Sequence, residues 1–224
     1  MRAIGLDGFS KGWVAVIIDG DEKTISFHRD VADALSGPFD RAAIDIPIGM
    51  TEDGERACDA LARQRLRPHT SRVFTGARRW LWQEFSDPDE ANREALRRSQ
   101  KRVSRQLWHL GPKIMEVDAH LRAHRSRDVR EVHPELAFLR LNGDVPLPAK
   151  KSEEGNALRR RLLEQQGFLE VDRWLNETRI GTGAKRDDVL DACAVATAAR
   201  DPKGCLPEGE QLLDAFGLPM QIWF

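Results

Sequence analysis

The 224-residue chain has only three cysteines, no apolar run long enough to cross a bilayer and almost no net charge. Each lack removes a class of function. Cys58, Cys193 and Cys205 are widely separated, with no CxxC and no cysteine–histidine pair at zinc spacing. An odd count, with two of the three in helix-like contexts, reads as reduced thiols in a cytoplasm. The start, "MRAIGLDG", enters a strand at once with no charged-then-apolar leader. With no spanning segment, the expectation is a cytoplasmic protein and no membrane partner. A formal net charge of −1, from 35 basic and 36 acidic residues, gives no global attraction to nucleic acid or to anionic lipid. Only a local basic face could bind phosphates, and the bases are mostly Arg, whose planar fork suits that task. There is no repeat and no low-complexity stretch.

What is present is a chain with 41% hydrophobic residues, enough for the core of one large domain. Arg2–Asp7 and Gly12–Asp19 read as a hairpin turned by "GFSKG", and Lys23–His28 reads as a third strand. Asp30–Leu35 is a short helix, and the continuous apolar run Arg41–Gly49 suits a strand covered on both faces. Helical patterns follow at 55–66 and from Asp87, which caps Pro88 and a first turn of acids. This second helix runs to Gly111, and another starts near Pro112. Val129–His133 is a strand passing into a helix that ends by Gly143. Ser152–Gln166 and Ala184–Arg200 are helices, the last the most apolar. Three hairpin-connected strands, then strands alternating with helices, point to an α/β fold with a mixed sheet covered by helices. The nearly all-helical stretch at about 87–124 reads as an insertion before the fifth strand, within one domain over 1–224.

Five acids do not fit a bland core. Asp7, Asp45, Glu131, Asp188 and Asp191 each lie within or at the end of a segment that otherwise looks buried. A buried carboxylate is paired, neutralised or metal-bound. Asp45, between Ile44 and Ile46, is the sharpest case, though an Arg partner would satisfy it. Asp188 and Asp191 stand three apart on one helix face, and near a helix N-terminus acids also serve as dipole partners or caps. Glu131 and His133 alternate on the predicted strand and share a face, where an edge strand would simply solvate them. Taken together, these oxygens suit Mg²⁺ or Mn²⁺. Two such ions can clamp the attacking and leaving oxygens of a phosphodiester.

The strings "GLDGFSKGWVAV", "AIDIPIGM", "PKIMEVD", "EVHPELAFLRLNG", "KKSEEGNALRRRLL" and "DDVLDACAVATAAR" together resemble domain-of-unknown-function family 429, from Ala3 to Arg200. That family is regarded as a predicted nuclease with an RNase H-like fold. The resemblance implies a mixed five-stranded sheet flanked by helices, with acids ending the first strand, on or after the fourth and on the final helix. It carries the metal-ligand role onto Asp7, Asp45, Asp188 and Asp191, with Glu131 as a further catalytic acid. RuvC-type resolvases carry Glu at the fourth strand where this chain has Asp45. Lys113 in "PKIMEVD", His133 and Arg105 are the expected substrate contacts. Arg105 ends the basic run "RRSQKRVSR", which is either a phosphate track or a solvated helix face.

The leading expectation is therefore a Mg²⁺- or Mn²⁺-dependent nuclease acting on a nucleic acid. The alternatives are a non-catalytic RNase H-like nucleic-acid-binding or interaction module and a phosphotransferase of the actin and sugar-kinase type. The last would need two copies of the fold, and this length has room for one.

Overall fold

A computed structural model describes all residues, Met1–Phe224. In chain order its elements are β1 (Arg2–Phe9), β2 (Gly12–Asp19), β3 (Glu22–His28), α1 (Val31–Ala34), β4 (Arg41–Ile44), α2 (Ala57–Arg65), α3 (Trp80–Gln83), α4 (Pro88–Ser99), α5 (Arg105–Ala123), β5 (Val129–Val132), α6 (Pro134–Leu141), α7 (Glu153–Gln165), α8 (Val171–Arg173), α9 (Arg186–Arg200), β6 (Cys205–Leu206) and β7 (Ile222–Trp223). The sheet is mixed and has seven strands in the order β3-β2-β1-β4-β5-β7-β6, two more than the five expected. The additional two are only two residues each and come from the chain after residue 204, where Pro and Gly gave no strand pattern. No helix is long and apolar enough to cross a membrane.

The chain divides into two compact units. The first comprises residues 1–46, 126–204 and 223–224, and the second 47–125 and 205–222.

In the first unit, β1 pairs antiparallel with β2 along its whole length, Arg2 opposite Asp19 and Phe9 opposite Gly12. The turn is thus only Ser10 and Lys11, and Asp7 lies inside the strand and not at its end as expected. A two-residue hairpin loop allows this because the ladder runs right up to it. β1 pairs parallel with β4, Leu6 opposite Ile44, and β4 pairs parallel with β5, Ile44 opposite Glu131. β4 stops at Ile44, short of the expected Gly49, because Pro47 has no N–H for a ladder. The Asp45 N–H still donates to the Leu6 carbonyl at 3.0 Å.

α9 lies across β1 in backbone contact. A Cβ on Gly5 would meet the Ala196 nitrogen at 2.1 Å and the Ala192 oxygen at 2.5 Å. Only glycine on the strand and alanines on the helix permit that approach, and Val189–Ala199 is buried throughout. Arg41 fastens the helix end: its Nη1 donates to the Ala199 carbonyl at 3.1 Å, and its Nε donates to Asp128 at 2.9 Å. At the far edge, the His28 ring nitrogens lie 2.8 Å from Ser26 Oγ and 2.8 Å from Asp33 Oδ2, tying β3 to α1.

The second unit is held by buried guanidinium–carboxylate pairs. Arg79 donates to Asp118, closest at 2.6 Å, and to Asp214, and packs over the Phe216 ring. Arg56 donates to Asp59 at 2.5 Å and to the Ile48 carbonyl at 2.9 Å. Arg56 and Arg79 each meet a carboxylate and a further acceptor, which offsets the cost of keeping them out of water. The expected helix break at Pro112 falls elsewhere. α4 ends at Gln100, which takes a left-handed conformation (φ 54°), and α5 runs through Pro112. Proline removes the N–H that would bond the Trp108 carbonyl, and the Trp82 indole N–H fills that place at 3.1 Å. Gly111 makes room, since a Cβ there would sit 1.9 Å from the Trp82 Nε1.

Candidate carboxylate site

The register of the sheet sorts the acids. Side chains two apart on a strand share a face, and paired residues in adjacent strands point the same way. Gly5 faces α9, so Asp7 does too. Asp45 continues the alternation of Ala43, which is opposite Gly5, and so lies beside Asp7. From the helix, Asp188, Ala192 and Ala196 recur at four-residue spacing on the side turned to β1, with Asp191 one turn in. Asp7, Asp45, Asp188 and Asp191 therefore converge where β1, the end of β4 and the start of α9 meet.

Glu131 does not join them. It is opposite Ile44, and so projects from the other face of the sheet, with Leu6 and Ile44. The sequence reading correctly placed it on a strand among apolar residues, but which face it takes depends on register across three strands. His133 begins α6 as its cap, its Nδ1 accepting the Glu135 N–H at 3.2 Å. Lys113 and Arg105 are on α5 in the second unit, and the Arg105 guanidinium is paired with Asp89 at 2.7 Å.

The electrostatics mark the cluster as overcharged. Burial, then the charges of Asp45, Asp191 and Asp188, push the Asp7 carboxyl well above the usual carboxylate range, against the pull of Lys150. Burial pushes Asp45 up to about 7; Lys150 and a hydrogen bond with Asp7 oppose this, and Glu135 adds to it. Asp191 is also pushed up to about 7 by burial, with Lys150 opposing and Asp45 and Glu135 reinforcing. Asp188, half-buried, is raised by burial, although its Oδ2 accepts the Lys185 N–H at 2.6 Å and so caps α9. Neighbouring carboxylates in a poorly solvated place resist ionising together, so without a cation the cluster favours taking up protons.

Two lysines oppose the negative charge: Lys185 acts on Asp188, and Lys150 on all four acids. The Lys150 ammonium donates to Asp191 Oδ2 at 3.0 Å; burial alone would lower its pKa, but Asp191 outweighs this and raises it. Behind it lies a pair that sequence reasoning missed. The Arg159 Nη2 donates to both Glu135 oxygens at 2.9 Å, and its Nη1 donates to the carbonyls of Pro148 and Gly155 at 3.1 and 2.9 Å. Both side chains are buried.

No three His, Cys, Asp or Glu side chains stand as a ready-made metal-binding group. The donor set nonetheless fits a hard divalent cation in its chemistry: four carboxylates, three of them buried or nearly so, with Lys150 as the one ammonium hydrogen-bonded to them. A family model described as "Protein of unknown function (DUF429)" matches residues 5–210. The chain belongs to the DUF429 family. The matched span contains all four clustered acids, Lys150, Glu135 and Arg159. No curated protein and no solved structure matches the DUF429 chain.

Proposed function

We propose that this DUF429 protein is a divalent-metal-dependent nuclease built on an RNase H-like core, with Asp7, Asp45, Asp188 and Asp191 holding Mg²⁺ or Mn²⁺. The observation that carries the reading is the convergence of these four acids, from three elements, on one face of the sheet. An RNase H-like site would place them at the same points: on the first strand, directly after the fourth, and on the last long helix. Antiparallel β1–β2–β3 with parallel β4 and β5 is the mixed sheet that reading calls for.

When bound, the metal would supply Lewis acidity toward a phosphodiester and lower the pKa of a coordinated water. The chain's own residues do the positioning. Asp7 and Asp45 are fixed by adjacent strands. Asp188 is oriented by the Lys185 N–H, and Asp191 is held at the sheet by the close packing of α9. Displacing the protons these acids share would leave an anionic pocket for the cation. Glu131 has no part in this arrangement, because it projects from the opposite face.

The test is a Mn²⁺ titration with cleavage of labelled single- and double-stranded DNA and RNA, on wild type and on Asp7→Asn. The variant should keep the fold, lose Mn²⁺ binding and lose cleavage. Undiminished cleavage by Asp7→Asn sinks the proposal. The ion pair of Lys150 with Asp191 favours one second reading, a non-catalytic module in which the ammonium permanently occupies Asp191 and no metal binds. Calorimetry that finds no Mn²⁺ binding in wild type would support that reading.

A further inference from the structure

Lys150 has a rigid root and a half-exposed head paired with Asp191. Its loop, between α6 and α7, is fixed on both sides. Arg159 holds the Pro148 carbonyl, and Arg159 is itself gripped by Glu135. The Ala149 carbonyl packs where a Cβ on Gly155 would stand at 2.1 Å. Ser152 then caps α7, its Oγ accepting the Gly155 N–H at 3.0 Å. The backbone at residue 150 is thus anchored through a buried ion pair and a helix cap. The side chain itself is 41% exposed, while its partner Asp191 is 9% exposed. A four-carbon stem on a fixed root can carry its ammonium to solvent without moving the loop. That one ammonium also acts on Asp7, Asp45 and Asp188, and so reaches every acid of the cluster.

We infer that Lys150 is an exchangeable internal cation that competes with the divalent metal for Asp191 and thereby keeps metal affinity low until the ammonium is drawn away. An ammonium 3.0 Å from Asp191 Oδ2 and a metal ion bound to that carboxylate repel each other at short range, so each weakens the binding of the other. The chemistry able to draw Lys150 off is an anionic phosphate entering beside the cluster, since it offers the ammonium a new partner and the metal further oxygen ligands. Metal and phosphodiester would then bind with positive coupling, each raising the affinity of the other. The inference rests on the metal-binding reading above, and goes beyond it by giving Lys150 a role in when the metal loads.

The test is calorimetry with Mn²⁺ alone on wild type, Lys150→Met and Lys150→Arg, each checked for fold by circular dichroism. Removing the ammonium should tighten Mn²⁺ binding by about tenfold or more, and Lys150→Arg, which keeps the charge, should stay near wild type. Detectable binding only in Lys150→Met would support the inference in its strongest form. Equal or weaker binding by Lys150→Met, with wild type binding normally, overturns the role of Lys150 and leaves the metal reading standing. No binding by either protein overturns both. If Lys150→Met does not fold, Lys150→Gln gives the same comparison.

Discussion

Replacing Asp45 by asparagine should make the metal-free protein more stable at alkaline pH while removing a ligand. The Asp45 carboxyl is pushed from 3.8 up to about 7 by the fold. A raised carboxyl pKa means that the native state holds more protons than the unfolded chain between those values. Stability therefore falls as pH rises from about 4 through about 7, and the penalty is complete above that. At about 1.36 kcal/mol per pK unit the ceiling is about 4 kcal/mol. Coupling to Asp7 and partial exposure of Asp45 reduce this to roughly 2 kcal/mol. For a chain of this size that corresponds to about 4–8 °C in Tm. Scanning calorimetry of wild type and Asp45→Asn, in chelator, at pH 5 and pH 8 reads the effect. The variant should gain several degrees at pH 8 and less than half as much at pH 5. A difference that is flat with pH, or a variant destabilised equally at both, would refute the reasoning, because Asp45 would then be satisfied as an ordinary structural carboxylate.

The other predictions concern the frame. Gly5→Ala should destabilise by about 1–3 kcal/mol or more in chemical denaturation, since the added methyl meets helix backbone and not a flexible side chain. Arg159→Ala should cost about 3–5 kcal/mol by leaving Glu135 buried without its partner, whereas Glu135→Leu with Arg159→Met should be near neutral by the same measure. Trp82→Phe leaves the Trp108 carbonyl without its donor and should cost about 1–3 kcal/mol. Pro112→Ala restores a helix N–H and should recover part of that loss in a double-mutant cycle; strict additivity of the two substitutions would argue against the link.

Asp7, Asp45 and Asp191 were legible because each meets an apolar pattern, a mismatch visible without a structure, whereas Asp188, in the polar first turn of its helix, was singled out through the family resemblance. The strands β1 to β5 were legible from the same apolar pattern, to within a few residues. Register was not. Glu131, like Asp45, read as an acid on a strand, though with a solvated edge as its alternative, and only the pairing of Ile44 with Glu131 shows that they leave opposite faces. Lys150 and Arg159 were passed over because a lysine in a polar loop and an arginine in a charged helix are usually solvated. Their significance comes from partners far along the chain. Pro112 misled because its missing hydrogen bond is made good by an indole 30 positions earlier, a compensation that local sequence does not announce.

The contact of Gly5 with Ala192 and Ala196 has a consequence for how this family would look under saturation mutagenesis. Those three residues carry no chemistry, yet they set how far Asp7 stands from Asp188 and Asp191. Side-chain changes elsewhere cannot restore that spacing once the two backbones are pried apart. In a deep mutational scan for metal binding, Gly5, Ala192 and Ala196 should be as intolerant as the acids, and any larger residue at one of them should escape rescue by second-site substitution at the other two.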